Sequence, residues 1–383
     1  MTGRRAELLA LTTAKTVANA ALRWIGPFLP TLERAFATTV GTLTTILAIA
    51  ELGGLSTLVT GRVLDRGHRR RVFLAGSSAI GVSSLIALGG SVRWFALAAA
   101  VLFLGVANLT VAGLAWISER VPYVGRGRAI GVYELSWAIA LCVGGPIIAL
   151  LIDAFGWRGP FAALAVASAI VTVGVAVVVP RDEIAAPDAR RDRRAARPIG
   201  TGLPRTAWPP LLASALAAAA GLGVFVISGA WLSDEYGVTT AGLGVVVTGF
   251  GLLELLASGS SAAFSDRLGK RRAVAGGLLV LGLGLGITSS AGTSLLVAVV
   301  GLTVFLTGFE FAFVTSLSLV SEAAPTARGR ALGVGNSIGT VARSGGVFLS
   351  GQLYETVGFG GSLAMWAVVA TAAFAMVLLS RPA

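Results

Sequence analysis

Apolar residues run along this chain in blocks of about twenty, set apart by short clusters of charge, glycine and proline. A helix that crosses the bilayer core needs a block of about that length. Reading the blocks between turn and charge clusters predicts twelve spans: 7–30, 40–61, 72–90, 94–117, 129–152, 160–180, 209–232, 241–262, 273–291, 294–317, 330–352 and 361–380. With short connectors they take up nearly all of the 383 residues. The expected fold class is an all-α polytopic membrane protein.

Composition agrees. The chain is 55% hydrophobic and 13% charged, with a mean hydropathy of +0.84, where a soluble domain carries about 25% charged residues. A soluble enzyme, a secreted scaffold and a disordered chain are thereby excluded. The 30 basic residues outnumber 18 acidic ones, yet their placement speaks for topology and not for nucleic acid. With the N-terminus inside, Arg34, Arg93 and Arg158 face outward, Lys15, Arg23 and Arg343 lie within spans, and all the other basic residues are cytoplasmic. This obeys the positive-inside rule and puts both termini of a multi-pass protein of the cytoplasmic membrane inside. Cys142 is the only cysteine, so no intramolecular disulfide forms. Arg4-Arg5, an apolar run and Ala18-Asn19-Ala20 imitate a cleavable signal, but Lys15 interrupts the run, which reads as an uncleaved first helix.

Residues 181–208, rich in arginine and proline, cannot span a bilayer and read as a cytoplasmic linker between six-helix halves at 1–180 and 209–383. The halves repeat at an offset of about 202 residues: Asp65-Arg66 answers Asp266-Arg267, Ser118-Glu119 answers Ser321-Glu322, Arg126-Gly127-Arg128-Ala129 answers Arg328-Gly329-Arg330-Ala331, and Glu51 answers Glu254. Parallel six-helix repeats point to a transporter architecture.

The loop after the second span reads Gly61-Arg62-Val63-Leu64-Asp65-Arg66-Gly67-His68-Arg69-Arg70-Arg71, and its counterpart runs from Asp266 and Arg267 through Gly269 to Arg272. Here the chain resembles the major facilitator superfamily, whose signature loop is Gly-x-x-x-Asp-Arg-x-Gly-Arg-Arg. Within it, the likeness is to the bacterial drug and metabolite:proton antiporter branch, of the arabinose-efflux-permease kind. The resemblance implies two pseudo-symmetric bundles and a gating role for Gly61, Asp65, Arg66, Arg69, Asp266, Arg267 and Gly269. Asp65 would face the N-terminal end of helix 11, a contact that stabilises by about 0.3–1 kcal/mol. Three departures stand out: His68 replaces a glycine, helix 5 keeps Gly144-Gly145-Pro146 but has Leu141, Ala149 and Leu150 for flanking glycines, and helix 4 lacks the family's arginine. The Gly-Pro pair can be a packing kink as readily as an antiport marker.

Seven ionisable residues fall within spans: Lys15, Arg23, Glu51, Glu134, Glu254, Glu310 and Arg343. Each is costly in lipid and normally faces a bundle interior or a wet cavity. Spans 3, 6, 9 and 12, the peripheral ones in the resembled fold, carry none. Lys15, Asn108, Glu134, Glu254 and Glu310 lie roughly 9–14 Å from the cytoplasmic ends of their helices at about 1.5 Å per residue. Glu134, Glu254, Glu310 and Glu51 are therefore the proton-coupling candidates, and Lys15, Asn19, Arg23, Asn108, Glu310, Asn336 and Arg343 the substrate-cavity candidates. Glu51 and Arg343 are expected to form an ion pair, and Glu134 and Glu254 a proton-holding carboxylate pair, unless one of these glutamates only bonds a backbone or hydroxyl group. Glu310 is the alternative, opposite Asn108 and within reach of Lys15.

Gly335-Asn336-Ser337-Ile338-Gly339 has the form of a nucleophile elbow, but it lies within a helix and the one histidine, His68, lies in a loop. No enzyme, metal site, cofactor or nucleotide-binding loop is expected. The expected function is secondary transport of a small organic solute by alternating access, as proton-coupled efflux of a cationic or neutral amphiphile. A uniporter, a proton symporter and a non-transporting receptor or scaffold are the alternatives. The partners expected are the solute, protons and membrane lipids, with no nucleic acid, for a monomer.

Overall fold

The structure, a computed structural model, describes residues 2–182, 202–324 and 328–380, without the side chains of 2–3, 123–124, 261–266 and 328–329. Most of the 181–208 linker and the side chain of Asp266 thus lie outside the described residues.

The first half contains α1 (Thr2–Arg23), a short α2 (Leu29–Phe36), then α3 (Val40–Glu51) and α4 (Thr57–Asp65) joined through a 3-10 turn at Leu52–Ser56. α5 (Arg69–Ala87) and α6 (Val92–Arg120) follow, then a span broken into α7 (Tyr123–Glu134), α8 (Ser136–Cys142) and α9 (Gly144–Phe155), and lastly α10 (Arg158–Val178). The second half holds α11 (Trp208–Tyr236), α12 (Thr240–Leu268), α13 (Lys270–Ser289), α14 (Leu295–Ala323) and α15 (Arg328–Leu379). Among the described residues, nine helical stretches are long and apolar enough to cross a membrane. α15 supplies two crossings because Gly358, at φ 74, breaks it. The more polar α1 and α5 complete the twelve.

The first helix ends earlier than the apolar run predicts. Residues 24–28 are turns, with Leu29 N–H donating to Gly26 O at 3.1 Å. Pro27 has no N–H to continue a helical ladder and disfavours helical backbone at Gly26. Arg23 is consequently a helix end and not a mid-helix residue.

Burial sorts the helices. In its most apolar stretch α11 is 78% buried and α10 only 22%. Val166, Ile170, Val173 and Val177 line one stripe of α10 and are all exposed, as expected for a lipid-facing helix. Leu279 and Leu283 on α13 do the same.

The sequence repeat is visible in the packing of each half. Arg69 pairs with Glu119 and Lys270 with Glu322. Arg70 donates to Ala176 O at 2.6 Å, as Arg271 does to Val377 O at 3.1 Å, so each clasps the end of its half's last helix. α5 crosses α6 where a Cβ on Gly76 would lie 2.7 Å from Gly105 O; α13 crosses α14 where one on Gly308 would lie 2.7 Å from Gly277 O. Glycines let the backbones touch, the usual solution where lipid offers no hydrophobic drive between helices.

By packing, the described chain falls into two compact units. One holds Met1–Leu22, Gly53–Ala140 and Arg158–Gly202, and the other Arg23–Leu52, Leu141–Trp157 and Leu203–Ala383. The ends of the first, second and fifth spans that lie away from the basic loops therefore pack with the second half. In that unit a Cβ on Gly229 would fall 1.9 Å from Pro27 O, and one on Gly145 would fall 2.9 Å from Val247 Cγ1. The Gly-Pro segment of helix 5 is thus a packing contact with α12, and Ala149 meets a glycine, Gly244, across the same contact.

Candidate functional site

α1 places Lys15, Asn19 and Arg23 four residues apart, so they form a polar ladder along one face of the helix. All three are buried. Lys15 Nζ lies 2.7 Å from Glu134 Oε2 and 4.2 Å from the centre of the Tyr133 ring. Asn19 donates to Ser136 Oγ at 3.1 Å, and Ser136 donates in turn to Tyr133 O. Glu134 and Ser136 flank Leu135, where α7 gives way to α8, so the helix break presents both to α1. Tyr133 fits because α6 carries Gly113, whose Cβ would lie 2.1 Å from the Tyr133 hydroxyl. The pair is lopsided, with the Lys15 side chain 3% exposed and that of Glu134 48%.

Arg23 grips Glu254 of α12 with both terminal guanidinium nitrogens, at 2.7 and 2.6 Å, and the two side chains are 5% and 2% exposed. This two-pronged, charge-assisted geometry is the strong form of such a bond. The guanidinium also lies 5.3 Å from the centre of the Phe225 ring. On α15, Arg343 donates to Glu51 Oε1 at 2.7 Å and to Thr340 at 3.1 Å, while Ser344 donates to Ala48 O at 2.8 Å. The expected Glu51–Arg343 pair is therefore formed. Glu51 and Glu254, equivalent in the repeat, are each held by an arginine from the opposite half of the sequence.

The other expected carboxylate contacts differ. Glu134 is bonded to Lys15 and Glu254 to Arg23, so each carries a basic partner where a shared proton between the two was expected. Glu310 is buried and accepts from Ser258 Oγ at 2.7 Å, while Lys15 goes to Glu134. Asn108 donates to Ser56 Oγ at 2.9 Å and to Leu104 O, and its Oδ1 is buried without a hydrogen-bond partner among the described residues. Asn336 is exposed on α15. Trp24 is buried near Phe28, and Trp231 stacks on Phe359 with ring centres 4.0 Å apart, in a packing role.

The loop residues are positioned by backbone conformation. Asp65 ends α4, and Asp65 and Arg66 are exposed, as are Arg267 and Gly269; Gly61 has open space around its Cα. His68 has φ −86, and the left-handed residue is Gly67 at φ 93; in the second loop it is Gly269 at φ 78, one register position later. The missing glycine at position 68 is thus answered by moving the turn one residue earlier. Outside the spans, Glu33 has its carboxyl pushed above the ordinary 4.5 by burial first, then by the negative charges of Asp234 and Glu355, with Arg34 opposing.

Twelve crossings in two repeated halves, buried charge pairs among them and acidic-basic loops after the second span of each half define a major facilitator transporter. The sequence profile of the Major Facilitator Superfamily matches residues 11–232 and 211–383, and the chain belongs to that family. It is similar to the uncharacterised MFS-type transporter YceJ of Bacillus subtilis, 26% identical over 87% of this chain and 85% of the relative. YwfA of the same organism is 25% identical over 92% of this chain and 86% of its own. The multidrug resistance protein Stp of Mycobacterium tuberculosis is 31% identical over 35% of this chain and 25% of its own. In fold it is similar to a bacterial homologue of the lysosomal transporter Spinster in an inward-facing, unoccupied conformation, with TM-score 0.81, 16% identity and coverage of 99% and 97% of the two chains. A D-xylose-proton symporter gives TM-score 0.80 at 16% identity, covering 98% of each.

Proposed function

We propose that this transporter is a proton-coupled exporter of a cationic or neutral amphiphilic solute. It would work as a monomer in the cytoplasmic membrane, with both termini and the basic loops on the cytoplasmic side. The observation that supports coupling is the pair of repeat-equivalent glutamates, Glu51 and Glu254, each tied to an arginine of the other half. A proton on Glu254 cancels its charge and leaves Arg23 as a buried cation without a counter-charge, which is strongly unfavourable. The halves at 1–180 and 209–383 then gain by separating there and hydrating the arginine. Proton binding and opening become one event.

Glu134 is the entry point in this scheme. Its half-exposed carboxylate faces a buried Lys15, so a cationic solute can displace the lysine, and a proton can displace the solute. Glu310, held by Ser258, is the next candidate to carry the proton. The direction of transport draws support from the partial likeness to a multidrug resistance protein. Asp65 and the loop residues Arg66 and Arg69 act as the gate on the basic side.

The test is transport in proteoliposomes with an imposed proton gradient, screened with cationic dyes, drugs, sugars and amino acids. Export driven by inward proton flow, lost in Glu254→Gln and in Glu134→Gln, is the expected result. Solute moving with the proton would make the protein a symporter. Gradient-driven transport retained in both variants would transfer the proton to Glu310.

A further inference from the structure

The end of α3 farthest from the basic loops carries an acceptor that belongs to the other half of the chain. Gly41, the second residue of α3, donates its backbone N–H to Glu355 Oε1 at 2.6 Å. The first-turn N–H groups of a helix have no partner within it, and the helix dipole makes that end partly positive, so a carboxylate there is favoured. Thr39 already serves Thr42 N at 3.2 Å, which leaves Glu355 to serve the amide beside it. The fit depends on glycine, because a Cβ at position 41 would lie 2.6 Å from Glu355 Oε2 and 2.7 Å from its Cδ. Gln352, one turn earlier on α15, donates to Gly41 O at 3.3 Å and to Thr45 Oγ1 at 3.2 Å, so the same helix holds both polar groups of one peptide corner. Thr44 packs against Gly351 with no room for a Cβ between them.

The repeat supplies an internal control. Gly156 and Gly358, both at positive φ, are register equivalents, which makes Asp153 the counterpart of Glu355. α12 is the counterpart of α3 and is capped in the same way, Thr239 accepting from Gly242 N at 3.3 Å. Asp153 nevertheless makes no hydrogen bond or ion pair among the described residues. Aspartate is one methylene shorter than glutamate. The cap between halves is made at one helix of the pair and absent at the other.

We infer that Glu355 is a positioning residue of the transport cycle, a latch that closes the outer side by capping α3 from the opposite half and lets go when that side opens. The inference rests on the alternating-access reading above, but its test does not need a transported solute. The reporter is Ser344→Cys in a Cys142→Ala background, since Ser344 is buried against α3 through its bond to Ala48 O. The readout is the rate at which a membrane-impermeant maleimide added outside labels it. Glu355→Ala should raise that rate about fivefold. Glu355→Gln should fall between parent and Ala, because it keeps an acceptor and loses the charge. Gly41→Ala should match Glu355→Ala, since it expels an intact carboxylate. Asp153→Glu should lower the rate by giving α12 its own cap. A second reporter, Ser77→Cys, packed between α5 and α10 through Thr172 and Ser168, should stay unlabelled in every variant, as a general loosening would not allow. Equal labelling of Ser344→Cys in parent, Glu355→Ala and Gly41→Ala overturns the latch, as does a parallel rise at both reporters. Absent solute flux with the labelling order intact would overturn the transport reading and leave the latch standing.

Discussion

Glu33 shows how one side chain can make a membrane protein sensitive to the pH outside its spans. Its carboxyl is pushed up because the fold half-buries it and sets Asp234 and Glu355 nearby. The sign follows from linkage: the folded state holds this proton more tightly than the unfolded state, so folding takes up a proton as pH falls. The ionised form is a burden at neutral pH and above, and the burden is relieved as pH drops through the raised value. Thermal stability in detergent should therefore rise modestly between pH 8 and pH 5, and Glu33→Gln should remove that part of the rise while stabilising the protein at pH 8. A Glu33→Gln variant with an unaltered profile would assign the dependence to other groups. At this scale the sequence was readable where two residues share a depth and a helix adjacency, as Glu51 and Arg343 do. It was unreadable where the angle around the helix decides the partner. Depth alone could not say that Glu134 turns to Lys15 and Glu254 to Arg23, because depth is one coordinate of three. Ser136, Tyr133 and Glu355 carried no signal as isolated letters. The i, i+4, i+8 spacing of Lys15, Asn19 and Arg23 on α1 could have suggested the ladder.

Between elements, the glycine crossings of α5 with α6 and of α13 with α14 let their backbones touch. Side chains at Gly76 or Gly277 meet backbone atoms of the facing helix, which cannot swing aside. Gly76→Val and Gly277→Val should each cost about 1–3 kcal/mol, the usual range for overpacking. Gly174→Val on α10, where a Cβ meets nothing within 4 Å, should be neutral. Thermal denaturation of the three variants decides it, and equal losses would mean that valine itself and not the crossing is at fault. Element number and order were legible because apolar length is a strong signal. Element breaks were less so. The 3-10 turn at Leu52–Ser56 falls on the Gly53-Gly54 pair, a local mark of a break that the span reading passed over, whereas Leu135 carries no local mark of a helix end.

For the molecule as a whole, the inter-half pairs invite a thermodynamic cycle. Removing one partner of the almost fully buried Arg23–Glu254 pair should cost about 3–5 kcal/mol, the usual range for breaking a buried ion pair. Arg23→Met with Glu254→Gln together should cost less than the sum of the single losses, measured as stability in detergent. Glu51→Gln with Arg343→Met should show the same sign and a smaller coupling, since those side chains are 16% and 23% exposed. Strict additivity in either cycle would mean that the contact contributes nothing of its own.

The two pairs also record an unequal inheritance. The glutamates occupy matching places in the duplicated halves, whereas their arginines come from the first and eleventh spans, which do not correspond to one another. A duplication alone would have copied both partners. One bond is forked and dry, the other single and partly wet. On the proton-coupled reading proposed above, the wetter pair would release before the dry one, an order that two identical pairs would lack.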